Sequence, residues 1–519
     1  MNSRRYRLAT PSVSNIPGGS NVMVKYCPSL SKTSSIQCRS PLTTDDVTKN
    51  RKKLLPNAKL LKRTFSSVLP PRWWLALPCL VFMTLATSST SLLKNDLLVH
   101  RACRLSSATT PTNYYWLDSQ YNPQLPQSSY QSPPQQNSDY NLVQSAVAQF
   151  NTKNSLVTFI PSLISFVLLG ASCDTMGRRP MLLLPFLGKI VESTLMLVVV
   201  TRNLSDAWIL AAHGLEAMFD SAGLIMLSGF AYITVCSPEE KRTRAFLLAE
   251  LVLIVARIGP TLALGLWLNK YSYSYVVPIS ISLGLSVIGQ LYALFIQPES
   301  VQSVRNLNIF RQLLLIRLRP IIRAFKVFLI KRPGNNQQTL ILITIIHILL
   351  LLSSVGYSSV LTLYLYGRPF YMSAFQVALL STAISVTIAV LTLTATLSKR
   401  RLDSSYLLPV IGVVMSIVHH VIFAVAKTVW LLYLGACIGS LSFISMPTLR
   451  TKLTKAIEPN EYAIVFIAAG IVDTIGREGV SAGANAIYKA SLNFFPGLVF
   501  LVFSIFALVT IFIMRCSCH

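Results

Sequence analysis

Ionisable side chains set inside long apolar runs are where this chain could do chemistry. Glu250 and Arg257 stand seven residues apart in one such run. At 1.5 Å of rise per residue they share a helix face about 10 Å apart and cannot touch. Glu250 must find another partner, lie near water, or take up a proton, because burial disfavours the charged carboxylate. A proton carrier and a structural ion pair both fit. His213, Glu216 and Asp220 follow an i, i+3, i+7 pattern, so they share a face that lipid would penalise. Lys189 with Glu192, and Asp473 with Arg477, are three and four residues apart and can each neutralise themselves on one helix. His347, His419 and His420 titrate in the physiological range. The adjacent pair points about 100° apart on a helix, a poor geometry for a shared metal. Arg450 closes an apolar run after Met446 and Pro447, where the helix dipole favours a cation.

Between two apolar segments lies the loop Gly170-Ala171-Ser172-Cys173-Asp174-Thr175-Met176-Gly177-Arg178-Arg179-Pro180. Gly170 lets helices approach closely, and Gly177 permits the backbone angles of a tight turn. Asp174 can accept hydrogen bonds from helix-terminal amides or an arginine. Arg178 and Arg179 hold such a loop on the cytoplasmic side. The loop fits G-x-x-x-D-x-x-G-R-R and resembles the segment between the second and third transmembrane helices of the major facilitator superfamily.

The elements that must position these residues are membrane helices. Hydrophobic residues make up 52% of the 519 and charged ones 13%, with a mean hydropathy of +0.54, which no ordinary soluble chain shows. Apolar spans of bilayer length are expected near 73–93, 145–170, 181–201, 208–236, 245–268, 276–296, 338–364, 373–397, 406–426, 429–449, 461–487 and 494–514. The fold class expected is all-α integral membrane, with twelve transmembrane helices in two six-helix halves. Residues 1–72 form a disordered basic N-tail, with no signal peptide ahead of the first span. Residues 73–296 are the N-terminal half, including a large Pro-, Gln- and Ser-rich external loop at 94–143. Residues 297–337 are a central loop, 338–514 the C-terminal half and 515–519 a short tail. The net charge of +27 gathers in the N-tail and in one set of alternate loops. That is the positive-inside asymmetry, with both termini cytoplasmic, and it argues against nucleic acid as a partner.

Nine cysteines give no disulfide framework, with only Cys103 expected in an external loop. Cys516, Cys518 and His519 are a weak zinc set, and lipidation or no role is expected of them. Asn203-Leu204-Ser205 is a glycosylation sequon in a short loop. Arg311, Arg317, Arg319, Arg323 and Lys326 alternate with Leu, Ile and Phe. A helix within 305–332 could lie on anionic lipid, or the segment could be a plain linker. Nucleotide-hydrolysis motifs are missing, so primary pumping is not expected. Neither a cofactor nor a metal is expected, and nothing indicates an enzyme.

Further blocks are more specific. They are Leu168 through Pro180, Arg242-Thr243 with Leu247-Leu248-Ala249-Glu250, Leu361 through Tyr364 with Pro369, Pro447 through Lys455 with Glu461 and Phe466, and Ile487 through Gly497. Together they resemble the proton-coupled folate transporter family of solute carriers, over roughly 73–514. The resemblance implies that Glu250 takes part in proton coupling and that Arg450 supports substrate binding. It also shows departures. The family's histidine on the seventh span falls at Ser354, with His347 two turns away. The aspartate after the fourth span becomes Val235, and the cysteine of the seventh–eighth loop becomes Tyr371. Glu461-Tyr462-Ala463 replaces Glu-Gln-Gly, and Arg257 occupies a position where the family has a small residue.

The expected function is secondary transport of a small organic anion, folate-like, with protons as the coupling ion. Glu250, His347, Glu216 and Asp220 are the coupling candidates. Arg450, Arg257, Ser354 and Tyr364 are the substrate-binding candidates, and Gly170, Asp174, Gly177, Arg178 and Arg179 form a gate. The expected membrane is the plasma membrane or the lysosome. The rival reading is a non-transporting receptor or adaptor using the basic N-tail. Composition leaves the oligomeric state open.

Overall fold

A chain in lipid must satisfy its backbone hydrogen bonds within each segment, which leaves the helix as the element for an apolar run of this length. The computed structural model describes residues 72–109, 137–170, 172–219, 221–271, 274–301, 304, 307–313, 336–397, 407–445, 449 and 462–516. All of these fall in one compact unit, and among them there is no strand. The expected N-tail up to residue 71, Asp220, most of 305–332, the Lys399–Asp403 counterpart loop, Arg450, Glu461 and the terminal Cys518 and His519 lie outside them.

The first half contains α1 (Leu77–Thr87), α2 (Thr90–Thr109), α3 (Asn137–Ser165), α4 (Arg178–Thr201), α5 (Asp206–Ala217), α6 (Ser221–Cys236), α7 (Glu239–Lys270) and α8 (Val276–Phe295). The second contains α9 (Asn336–Tyr366), α10 (Ala374–Leu397), α11 (Leu407–Val425), α12 (Val429–Ser440), α13 (Tyr462–Ser491) and α14 (Leu498–Cys516). Eight helical stretches are long and apolar enough to cross a membrane, and three apolar helices are shorter. Helix α13, 30 residues long, is not among either set. Every 18-residue window of it holds at least three of Asp473, Arg477, Glu478 and Lys489, so it carries its charges through the interior.

Two expectations change. Residues 94–109 and 137–143, read as parts of an external loop, are helical, and Cys103 is buried in α2. The leucines at 92, 93, 97 and 98 continue the apolar face across the polar Lys94-Asn95-Asp96 step, and that face holds the helix together. The single span expected near 208–236 is two helices, because α5 ends at Ala217 and α6 begins at Ser221.

The halves meet along α3 and α13, which run antiparallel. From one end of this seam to the other, Gln144 faces Tyr488, Ser155 faces Ser481, Thr158 faces Glu478, and Phe166 packs where a Cβ on Gly470 would have to lie. Pro161 interrupts α3, and its missing N–H is followed by a π-helical turn at Phe166–Gly170. That turn packs with Leu224, Ala468 and Ile471, closing the end of the seam next to the Gly170–Arg179 loop. A second contact between halves joins α7 to α10, where Gly265 lies against Ala378.

Candidate functional site

The Gly170–Arg179 loop is built around an acid the sequence reading did not use. Gly177 has φ of +103°, a conformation only glycine adopts at low cost. It delivers the first amides of α4 to Glu299, whose carboxylate accepts from Arg178 N at 3.0 Å and Arg179 N at 3.1 Å. Glu299 also accepts from the amides of Ser300 and Val301. A carboxylate on free amides at a helix N-terminus is favoured by charge and by hydrogen bonding together. Arg178 donates to Ser300 Oγ at 3.2 Å, and Arg179 donates to the carbonyls of Ala293 and Leu294 at the end of α8. Gly170 lies buried in the π turn, and Asp174 falls in the single helical turn Cys173–Met176. The loop thus clamps α4 to the exit of α8.

A polar cluster lies halfway along the helices. Lys189 Nζ meets Glu192 Oε2 at 2.7 Å, both buried, as the three-residue spacing implies. His213 Nδ1 approaches the other oxygen of Glu192 at 3.8 Å. Lys189 also donates to Thr90 Oγ1 at 3.2 Å. Thr90 is one helical turn before Lys94, and Lys94 lies in the electrostatic field of both Glu192 and Glu478. Glu478, on α13, accepts from Thr158 Oγ1 at 2.8 Å and from Arg477 Nε at 3.3 Å. One turn along, Asp473 meets His347 Nε2 at 3.2 Å. The first half pairs Lys189 with Glu192, and the second pairs His347 with Asp473 and Arg477 with Glu478.

Unpartnered polar atoms mark the same region. Among the described residues, Asn151 Oδ1, Asn154 Oδ1, Asn485 Oδ1 and His213 Nε2 are buried without a hydrogen-bond partner. Such atoms cost free energy unless water or a ligand meets them. Towards the end of the seam away from the Gly170–Arg179 loop, Asp96 accepts from Tyr275 at 2.8 Å and Tyr366 at 3.1 Å. The backbone carbonyl of Tyr366 accepts from Tyr140 at 2.7 Å. Tyr488 and Gln144 bond each other beside it. This web fastens α2, α3, α8, α9 and α13 there.

The other candidates are distributed unevenly. Glu250 is half-buried on α7 and makes its own interactions, as does Glu216 on α5. Arg257 is exposed on the stripe that runs from Glu250 to the buried Leu264 and Leu268. Ser354 is exposed two turns from His347, on the same face of α9. Tyr364 is enclosed among Phe370, Tyr488 and Phe500, and its hydroxyl donates to the carbonyl of Phe423 at 2.7 Å. His419 and His420 donate to the carbonyls of Gly435 and Ser416 and pack on Tyr357, a core arrangement. Asn203 is exposed at a positive φ in the turn between α4 and α5. Among the described residues no group of three or more His, Cys, Asp or Glu could hold a metal.

Sequence reasoning missed Lys94, Asp96, Glu299 and Glu478. The first two were assigned to a loop, although the leucine spacing around them was a helical signal. Glu478 was hidden by Arg477, its neighbour in sequence.

A model of the Major Facilitator Superfamily matches residues 134–478. A proton-coupled folate transporter of Rattus norvegicus is 26% identical over 347 residues, covering 66% of this chain and 73% of the relative. A lysosomal proton-coupled steroid conjugate and bile acid symporter of Gallus gallus is 25% identical over 368 residues, covering 69% and 77%. Among solved structures, a human organic anion transporter superposes with a TM-score of 0.58 at 15% identity, over 86% of this chain and 100% of that one. The match with the family model spans most of the chain, the helices follow the same fold, and the chain belongs to the Major Facilitator Superfamily, as a multi-pass membrane transporter.

Proposed function

We propose that the chain is a proton-coupled symporter of a small organic anion, folate-like or a conjugated steroid or bile acid. The observation that carries this is the mid-helix cluster. Lys189 is buried against Glu192 at 2.7 Å, beside asparagine and histidine atoms that lack partners. Buried charges of this kind are costly unless function retains them. A cation there can meet an anion, and the carboxylates around it can carry protons. Relatives whose names include folate, steroid conjugates and bile acids support an organic anion as the class.

Alternating access would rock the two halves about this cluster, with the Gly170–Arg179 clamp at the cytoplasmic end and both termini in the cytoplasm. Glu250 and His347 remain coupling candidates on the resemblance and on their position, and Arg257 and Arg450 remain anion-binding candidates. The membrane would be the plasma membrane or the lysosome.

The test is uptake of labelled folate and of labelled taurocholate at pH 5.5 and 7.4, in cells with the protein confirmed at their surface. Acid-stimulated uptake of either is expected, and none of either at both pH values would remove the reading. Glu250→Gln is expected to abolish concentrative uptake while exchange of labelled for unlabelled substrate persists. Concentrative uptake surviving in that variant would move coupling away from Glu250.

A further inference from the structure

We propose that the last turn of α9 is the latch of the tyrosine-side mouth, and that Asp96 is its bridging residue, holding one half with each carboxylate oxygen. This rests on the alternating-access part of the reading above and on no particular substrate. The closed end shows in how the apolar cores divide. At the tyrosine end one core serves both halves, with Leu97, Leu268 and Ile279 packed in it alongside Leu365, Val377 and Phe500. Towards the Gly170–Arg179 loop each half keeps a core of its own, around Phe186 in the first and around Val465 in the second. The small cluster of Phe166 and Leu224 with Ala468 and Ile471 is the exception there. The halves therefore hold each other chiefly at the tyrosine end.

What closes that end is the finish of a helix. The last four carbonyls of an α-helix have no partner within it, and α9 ends at Tyr366. Side chains of the other half supply donors. Tyr140 of α3 donates to the Tyr366 carbonyl at 2.7 Å, and Gln144 Nε2 donates to the Leu363 carbonyl at 3.2 Å. The approach needs Gly367 as the next residue, because a Cβ there would meet the Gln144 amide. Asp96 completes the latch. Its Oδ2 accepts from Tyr275 of α8, in its own half, at 2.8 Å, and its Oδ1 accepts from Tyr366 at 3.1 Å. Tyr366 is thus held by the first half twice, through its carbonyl and through its hydroxyl. Hydrogen bonds to a carboxylate are stronger than neutral ones, yet each can be exchanged for water at modest net cost once the mouth fills. The bonds secure closure without making it permanent.

The experiment reads opening directly, without substrate. Ala148, one turn further along α3 than Gln144, is fully buried and lies deeper than the web. Ala148→Cys in a Cys103→Ser background puts a reporter thiol there, in the full-length protein at the surface of intact cells. The rate at which a membrane-impermeant maleimide labels that thiol from outside is the readout. Added to this background, Asp96→Ala and Tyr366→Phe should each raise the rate at least fivefold. Asp96→Asn, which keeps an acceptor for one tyrosine, should fall between. Tyr292→Phe removes a hydroxyl bonded to the Leu75 carbonyl within the first half and should leave the rate unchanged. Val147→Cys, also buried, is the second reporter for the case that Ala148→Cys does not reach the surface. Uptake is measured beside the labelling. An unchanged rate in Asp96→Ala and Tyr366→Phe with uptake present in the wild type, or an equal rise in Tyr292→Phe, overturns the latch and leaves transport standing. No labelling in any variant, together with no uptake of folate or taurocholate, removes the alternating-access reading as well.

Discussion

Lys189 and Glu192 are among the least exposed charges of the described residues, at 4% each. Their pairing was readable from a spacing of three, because two helix positions that far apart always face each other. What spacing could not reveal was that His213 from α5 joins them, or that Lys94 stands nearby, since those approaches come from other helices. The pair makes a clear prediction. Glu192→Ala leaves a buried ammonium uncompensated and should cost about 3–5 kcal/mol, whereas Lys189→Met/Glu192→Leu should lie near the wild type in stability. Thermal melts in detergent check both, and equal losses in the single and double variants would contradict the account. Asp473 teaches a related lesson. Spacing offers it Arg477 on its own helix, and the structure also brings it His347 of α9 and brings Arg477 to Glu478. Intrahelical spacing lists what a side chain can reach on its own helix, and packing adds partners from other helices.

Among the elements, the clamp between α4 and α8 was half legible. The glycine and the two arginines of the loop read directly from their types, but the acid that organises them lies 121 residues from Arg178. No local pattern links the two, because the contact depends on α8 ending beside the start of α4. Gly177→Ala should destabilise by about 1–3 kcal/mol from backbone strain alone, and its Cβ would also meet the Glu299 carboxylate. Glu299→Ala should cost about 1–2 kcal/mol by uncapping α4. In transport assays both should alter rate more than substrate affinity, because neither touches the central cluster; a purely affinity-based defect would argue against a gating role. The helices themselves were legible from apolar length. The continuation of α2 beyond residue 93 was not, because a three-residue polar step in a one-dimensional reading looks like an exit from the membrane. In three dimensions Asn95 and Asp96 are satisfied by Asn151, Tyr275 and Tyr366.

For the whole molecule, two halves and a seam were expected from the superfamily resemblance, but not which helices form the seam or in what register. The α3–α13 contact supplies a direct test. Ser155 and Ser481 hydroxyls lie 3.0 Å apart, so Ser155→Cys/Ser481→Cys should form a disulfide under mild oxidant. Uptake should persist after oxidation, because the bond lies one turn from the Thr158–Glu478 contact, and each single variant should be unaffected by either reagent. Loss of uptake by the oxidised pair, restored by reductant and with the bond verified by mass spectrometry, would show that the seam opens at its middle.

The same seam is a lever with unequal arms. If the halves pivot at Thr158 and Glu478, Tyr140 lies 18 residues from the fulcrum and Phe166 only eight, or about 27 Å against about 12 Å of helix. A rotation that parts Phe166 from Gly470 by a given distance would part the tyrosine web by more than twice as much. The mouth at the tyrosine side should therefore gape widely while the mouth at the loop side opens as a slit.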